Sequence, residues 1–507
     1  MSTPPPPAPP PLPAKARPLL LRFVVGSALL ALVAAGLIPG FYLVEKHRGR
    51  AAWRAYETEA KARGVKLDFA DYLPPEIPDA ENFASIPLFD AVFRASDANL
   101  DVPDPFELPG AKTRKQPKFA DPVKQERIDL AAWQKFFVEN KLLPTATDNA
   151  AADVLKVLDG FAEPLSQLDA AGVRPHCRFP VHWEKTFDAA LPHLGLVTNA
   201  GKLYALRLAA HLALGESAAA CQDFHAGVRL TTATHEEPAL ITGLVRITCA
   251  WKMEQAVWDG LAGHRWAEPE LREIEADLAQ LDWLDGYRLA MGSERGVSNL
   301  IADRLIDKRG ELAELIRGVQ MFPQPKPLSD KWTYDLFPAG WFYRSKVRSN
   351  QHFDEMLARF EPAQRRWFGE RAVPSSPKRI KDLPTKIRYL PFMLAAPVLE
   401  DCETRFVQVA TVTDQTRIAC ALERFRLARG TFPQALSELT PEFLSAVPAE
   451  IVNGEPYRYR RTDDGSFVLY SVGTDLRDDG GIIDPKATAS KQADWVWRYP
   501  QQVAARL

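Results

Sequence analysis

No C-x-x-C pair occurs among the five cysteines, Cys177, Cys221, Cys249, Cys402 and Cys420, and their odd number leaves one unpaired in any disulfide scheme. That argues against a disulfide framework. Most of the five sit in apolar, helix-like contexts, where a free thiol packs as a small hydrophobe. A dominant sign of charge is missing too. Lys and Arg number 63 against 65 Asp and Glu, a net charge of −2, which removes any global electrostatic case for nucleic acid.

Catalytic signatures are equally scarce. There is no phosphate-cradling glycine loop, no dinucleotide fingerprint and no H-E-x-x-H. His176, His182 and His193 cluster near Cys177 without zinc spacing, and the "HEEP" at His235 lacks its second histidine. "GSERG" at Gly292 puts its serine one place early for a nucleophile elbow, and Ser375 to Lys378 has S-x-x-K spacing in a proline-broken loop. Buried carboxylate pairs leave no reliable motif, so a membrane-tethered hydrolase working through acids in the helical domain stays open as an alternative.

What the chain does have is proline, 42 residues of it, much of it clustered. "MSTPPPPAPPPLPAKARP" is low-complexity and predicts a disordered tail over 1–18. Behind it, Phe23 to Val44 carries no charge and is long enough to cross about 30 Å of hydrocarbon, which predicts a transmembrane helix over 19–44. Val33-Ala34-Ala35 would suit a signal peptidase, but the apolar run continues past it, which favours an uncleaved anchor. Lys15, Arg17 and Arg22 before the span and Lys46, Arg48, Arg50 and Arg54 after it tilt the charge count towards a cytoplasmic bulk.

Residues 45–127 read as a juxtamembrane helix ending at Gly64, followed by a proline-rich extended wrap. Residues 128–320 read as a helical domain. Leu203, Leu206, Ala210, Ala213 and Leu214 share one face, "LGES" turns the chain, and Cys221, Phe224 and Val228 face back. This αα-hairpin is similar to one tetratricopeptide unit, with no second copy at a 34-residue period, so an irregular bundle is expected. Residues 321–385 form a basic and aromatic linker region, in which Arg344, Lys346, Arg359, Arg365 and Arg371 stand among Trp341, Phe342, Tyr343, Trp367 and Phe368. Such a stretch suits anionic lipid or, more plainly, a solvated partner-facing surface.

In the last segment, 386–507, a long helix ends at Gly430 and three strand-like runs follow, "PYRYRR", "SFVLYSV" and "DWVWRYP", with Asp463-Asp464-Gly465 as a hairpin turn. The fold class read from the sequence is mainly α, closing in an α+β module of one helix and a small antiparallel sheet. Gly430, Phe432-Pro433, Gly454-Glu455-Pro456-Tyr457, Tyr470-Ser471, Gly473 and Asp475 together resemble the globular part of type II secretion pseudopilins of the major, G-protein type. More broadly, the chain is similar to single-pass bacterial membrane proteins that end in this module.

The resemblance implies an inner-membrane protein with its bulk in the periplasm, which outweighs the charge count. It also implies calcium in the Asp-rich loop. There Asp475, Asp478, Asp479 and Asp484 offer hard oxygen ligands around Gly480-Gly481, without EF-hand spacing. The pilin string G-F-x-x-x-E is present as Gly40 to Glu45, but after the hydrophobic helix, where cleavage would remove the anchor. That position speaks against a pilus subunit, and a secretion-system component remains an alternative. The leading expectation is a non-catalytic, membrane-anchored scaffold that meets lipid through its anchor and binds a protein partner.

Overall fold

The structure is a computed structural model that describes residues 16–101, 104–109, 116–117, 119, 126–313, 334–484 and 493–499. These are mainly helical, with a small antiparallel sheet near the C-terminal end. In chain order the helices are α1 (Ala16–Ala62), α2 (Pro87–Asp97), α3 (Leu130–Glu139), α4 (Ala150–Leu158), α5 (Ala162–Ala171), α6 (His193–Leu214) and α7 (Ser217–Ala233). They continue with α8 (Leu240–Ala262), α9 (Glu268–Ala279), α10 (Trp283–Asp307), α11 (Ala339–Leu357), α12 (Leu383–Arg388) and α13 (Leu390–Arg429). The strands are β1 (Phe360–Glu361), β2 (Arg366–Trp367), β3 (Arg458–Arg461), β4 (Phe467–Ser471) and β5 (Trp495–Arg498).

The residues divide into two compact units. Met1–Gly64, Ala302–Arg348 and Ile380–Leu394 form one; Val65–Ile301, Ser349–Arg379 and Ala395–Leu507 form the other. Of the expected proline-rich tail, positions 1–15 lie outside the described residues.

In the first unit, α1 is a single helix of 47 residues, about 70 Å long, where the sequence suggests an anchor and a separate juxtamembrane helix. Pro39 lies within it without ending it. Its second half has one docked face: Glu45, Gly49, Tyr56 and Ala60 are buried at helical spacing. The neighbour is the start of α11. A Cβ at Gly340 would overlap the Glu45 carbonyl, so the two backbones touch there and only glycine fits. Lys346 of α11 then places its ammonium 4.0 Å from the Trp53 ring centroid and 2.7 Å from Asp303. The first half of α1 is different, since Phe23, Val25, Leu29, Leu37, Ile38 and Leu43 are all exposed, Phe23 by 76%.

Among the described residues no helix is long and apolar enough to cross a membrane. The expected transmembrane helix over 19–44 is not identified as a span among them. It falls on the first half of α1, where the side chains at 16–21, 24, 30–32 and 34 lie outside the described residues.

In the second unit, the proline-rich wrap packs into the core through Phe83, Ile86, Phe89, Phe106 and Leu108. Prolines deny this stretch regular ladders, so it borrows partners instead. The Phe83 amide donates to the His176 carbonyl at 2.8 Å, and the Asn82 side chain bonds Arg178 at both its amide and its carbonyl. Asp129 and Asn149 cap α3 and α4 by accepting from the amides of Ala132 and Ala152.

The expected αα-hairpin is α6 with α7, reversed at Gly215, whose φ of +81° suits a left-handed turn. α8 packs on both helices and α9 on α7. α8, which begins at Leu240, and α9 thus pack on the first hairpin rather than forming a second one like it.

All three C-terminal strand runs are strands, ordered β3-β4-β5 and antiparallel throughout. Thr462 and Ser466 close the hairpin through Gly465, whose φ is +79°. The sheet belongs to the same unit as the helices. Trp258 of α8 donates to the Arg498 carbonyl at 3.1 Å, and Gln415 of α13 to the Trp495 carbonyl at 2.7 Å.

Candidate functional site

The Asp-rich loop follows β4 and is held by protein groups. Asp478 accepts from the Tyr470 hydroxyl and the Gly480 amide, both at 3.0 Å, and lies 3.4 Å from Arg458. These bonds hold its carboxyl below the usual range, the Gly480 amide contributing most. Asp475 accepts from the Arg477 amide at 3.1 Å. The loop's inner face rests on the buried Asp494, which accepts from the amides of Gly481 at 2.7 Å and Asp479 at 3.4 Å. Asp475, Asp478, Asp479 and Asp484 are not among the side chains that the structure gathers at metal-ligand spacing.

The three histidines near Cys177 go to different acids. His193 is buried, stacked 3.9 Å from Phe179 and 3.0 Å from Glu237; His176 meets Glu236, and His182 meets Asp97 and Glu184. In the S-x-x-K stretch, Ser375 donates to Glu355 at 2.6 Å and Ser376 to Glu400 at 2.6 Å, whereas Lys378 pairs with Glu400 at 2.7 Å. Both serines are buried, so they fasten their loop to α11 and α13.

The basic and aromatic stretch is similarly committed. Arg359 pairs with the buried Glu403 at 2.9 Å, and Arg365 with the buried Asp414 at 3.1 Å. Positions 321–333 of the expected linker, with 314–320 of the expected helical domain, lie outside the described residues.

One cluster gathers soft and hard ligand atoms at a single point. Cys221 and His225 stand one turn apart on α7, and Glu273 and Asp277 one turn apart on α9, so each pair shares a helix face. The Cys221 sulfur lies 3.4 Å from His225 Nε2 and 3.6 Å from Glu273 Oε2; Nε2 and Oε2 are 3.0 Å apart. On the far side of the ring, Nδ1 makes a short hydrogen bond with Asp277. Asp277 first, and Cys221 next, push the imidazole up to about 11, while burial pushes the Cys221 thiol up.

Comparison with family models, with curated proteins and with solved structures finds no match to this chain. Cys221, His225 and Glu273 are the one group of three or more His, Cys, Asp or Glu side chains among the described residues whose ligand atoms lie within 4.8 Å of one another. Sequence reading takes Cys221 as a packing residue on the hairpin. The available signal was two i,i+4 pairs, C-x-x-x-H in "CQDFH" and E-x-x-x-D in "EIEAD", both within the domain read as helical.

Proposed function

We propose that the protein is a single-pass, membrane-anchored scaffold whose bulk lies on the periplasmic side of the inner membrane and binds a protein partner. The observation that carries this reading is the contrast along α1. Large apolar side chains are exposed through its first half, 68% at Leu37 and 69% at Leu43, while its second half is docked by one face. Exposure of that much apolar surface to water is unfavourable by about 25 cal/mol per Å², and hydrocarbon removes the penalty. The uncharged stretch from Phe23 to Val44 has the length a bilayer requires.

Support for the side of the membrane comes from the last segment. A long helix ending at Gly430, then short turns, then an antiparallel three-stranded sheet follow the order that the pseudopilin resemblance implies. Helices packed side by side, as α6 to α9 are, present broad surfaces of the kind that binds other proteins.

The test uses the full chain in native membranes. Resistance to alkaline carbonate with release by detergent is expected, with digestion by protease added to spheroplasts but not to inverted vesicles. Crosslinking and affinity recovery should then return the same partner across replicates. Recovery in the carbonate supernatant would overturn the anchor, and the opposite protease pattern would overturn the orientation. Failure to retain any reproducible partner would overturn the scaffold role.

A further inference from the structure

We propose that Cys221, His225 and Glu273 bind one divalent transition-metal ion of the zinc type, with Asp277 orienting the imidazole and water completing the coordination. The site goes beyond the scaffold reading and does not depend on it.

The argument starts from lone pairs. With Nδ1–H donated to Asp277, loss of the Nε2 proton, which an incoming cation displaces, leaves an Nε2 lone pair on the other side of the ring. That lone pair meets the Cys221 sulfur and a Glu273 oxygen, so three Lewis bases face one another across 3.0 to 3.6 Å. Such a triangle calls for a cation at its centre or protons on its edges. In a tetrahedral zinc site with Zn–S of about 2.3 Å and Zn–N or Zn–O of about 2.0–2.1 Å, neighbouring ligand atoms lie about 3.3–3.6 Å apart. Both edges to sulfur match, and the edge between His225 and Glu273 is slightly short.

Ligand chemistry narrows the ion. One thiolate and one imidazole beside a single carboxylate suit zinc and its neighbours in the transition series, whereas calcium and magnesium require oxygen. Protons on the edges would satisfy the triangle without a metal, and this is the competing outcome of the test. Both ligand pairs ride on helices packed together, which fixes their separation without any loop. The triangle is also open on one side. Cys221 is buried at its floor, while the side chains of Glu273 and His225 are 59% and 25% exposed, so solvent reaches a fourth position. Three protein ligands and a water make a site able to exchange its fourth ligand.

The experiment uses the full chain in detergent, reduced and stripped with chelator. Cobalt(II) is added and followed by absorption, and zinc is titrated against a chromophoric chelator. One ion per chain is expected, with tetrahedral cobalt bands and a thiolate-to-cobalt charge-transfer band that calcium does not displace. Cys221→Ser should abolish the charge-transfer band. Because that position is buried and the variant could misfold, Glu273→Gln on the exposed rim is the second test and should weaken binding at least about tenfold. Asp277→Asn, which keeps all three ligands, should weaken it by about 10–100-fold. Two results would overturn the site: uptake by the wild-type chain no greater than by Glu273→Gln, or cobalt bound with no charge-transfer band. Either would leave the cluster as a proton-bridged group.

Discussion

Thr413 of α13 donates to Glu254 of α8 at 2.6 Å, across 159 positions of sequence. Trp283 of α10 donates to the same hydroxyl at 3.0 Å, so three helices meet at one buried carboxyl that pairs with no cation among the described residues. Burial pushes Glu254 up to about 8, the Thr413 bond opposes that, and the charge of Asp414 adds to it. At neutral pH this is a carboxylic acid serving as a brace between helices.

A pH dependence follows. The folded state holds this proton up to about pH 8, whereas the unfolded chain releases it near 4.5. The stability it contributes is complete below the unfolded value and is lost as pH rises through the folded one, by at most about 1.4 kcal/mol per pH unit. Thermal unfolding from pH 5 to 9 should show the wild-type midpoint falling relative to Glu254→Gln. Parallel profiles would sink the assignment.

The sheet gives a paired test. Gly465 and Gly473 both have positive φ, +79° and +65°, but a Cβ at Gly465 meets open space while one at Gly473 would overlap the Ala493 carbonyl. Gly465→Ala should cost about 1–2 kcal/mol from backbone conformation alone. Gly473→Ala should cost more, read by chemical denaturation, and equal losses would contradict the close approach.

Arg359 is expected to matter through burial. Its guanidinium pairs with Glu403 at 2.9 Å, and Trp367 donates to the other Glu403 oxygen. Burial pushes Glu403 up and Arg359 pulls it back. Removing one partner of a buried pair costs about 3–5 kcal/mol, so Arg359→Ala should unfold the unit early, with Glu403→Gln in the same chain restoring part of the loss. A surface-like cost below about 0.5 kcal/mol would refute the pairing.

Docking of α1 can be tested at Gly340. Valine there must push the Glu45 backbone away, an overpacking cost of about 1–3 kcal/mol. Trypsin should then cut at Lys46, Arg48, Arg50 or Arg54 faster than in the wild type. Unchanged cleavage would mean that α1 is not held by this contact.

These features were unevenly legible in the sequence. The strands at 458–461, 467–471 and 495–498 were readable because alternation and the Asp-Asp-Gly turn are local signals. The end of α13 at Gly430 was readable for the same reason, whereas its start at Leu390 was hidden by Pro391 and Pro397, which look like breakers although the helix runs through both. The linker assigned to 321–385 contains α11, whose basic residues look solvated until the acids that pair with them are seen. The Cys221–His225–Glu273 cluster was hidden for a related reason. Each of its i,i+4 pairs is ordinary on a helix, and only the packing of α7 against α9 joins residues 48 and 52 positions apart.

The unbroken course of α1 has a consequence of phase. Each residue turns the helix by about 100°, so the docked face at Glu45, Gly49, Tyr56 and Ala60 sets the azimuth of every side chain nearer the N-terminus. Insertion of one alanine between the two halves would rotate the apolar half by about 100° about the shared axis. Insertion of seven would return it to within about 20° of its original bearing while lengthening the rod by about 10 Å. Bearing and reach can therefore be varied separately in this one helix.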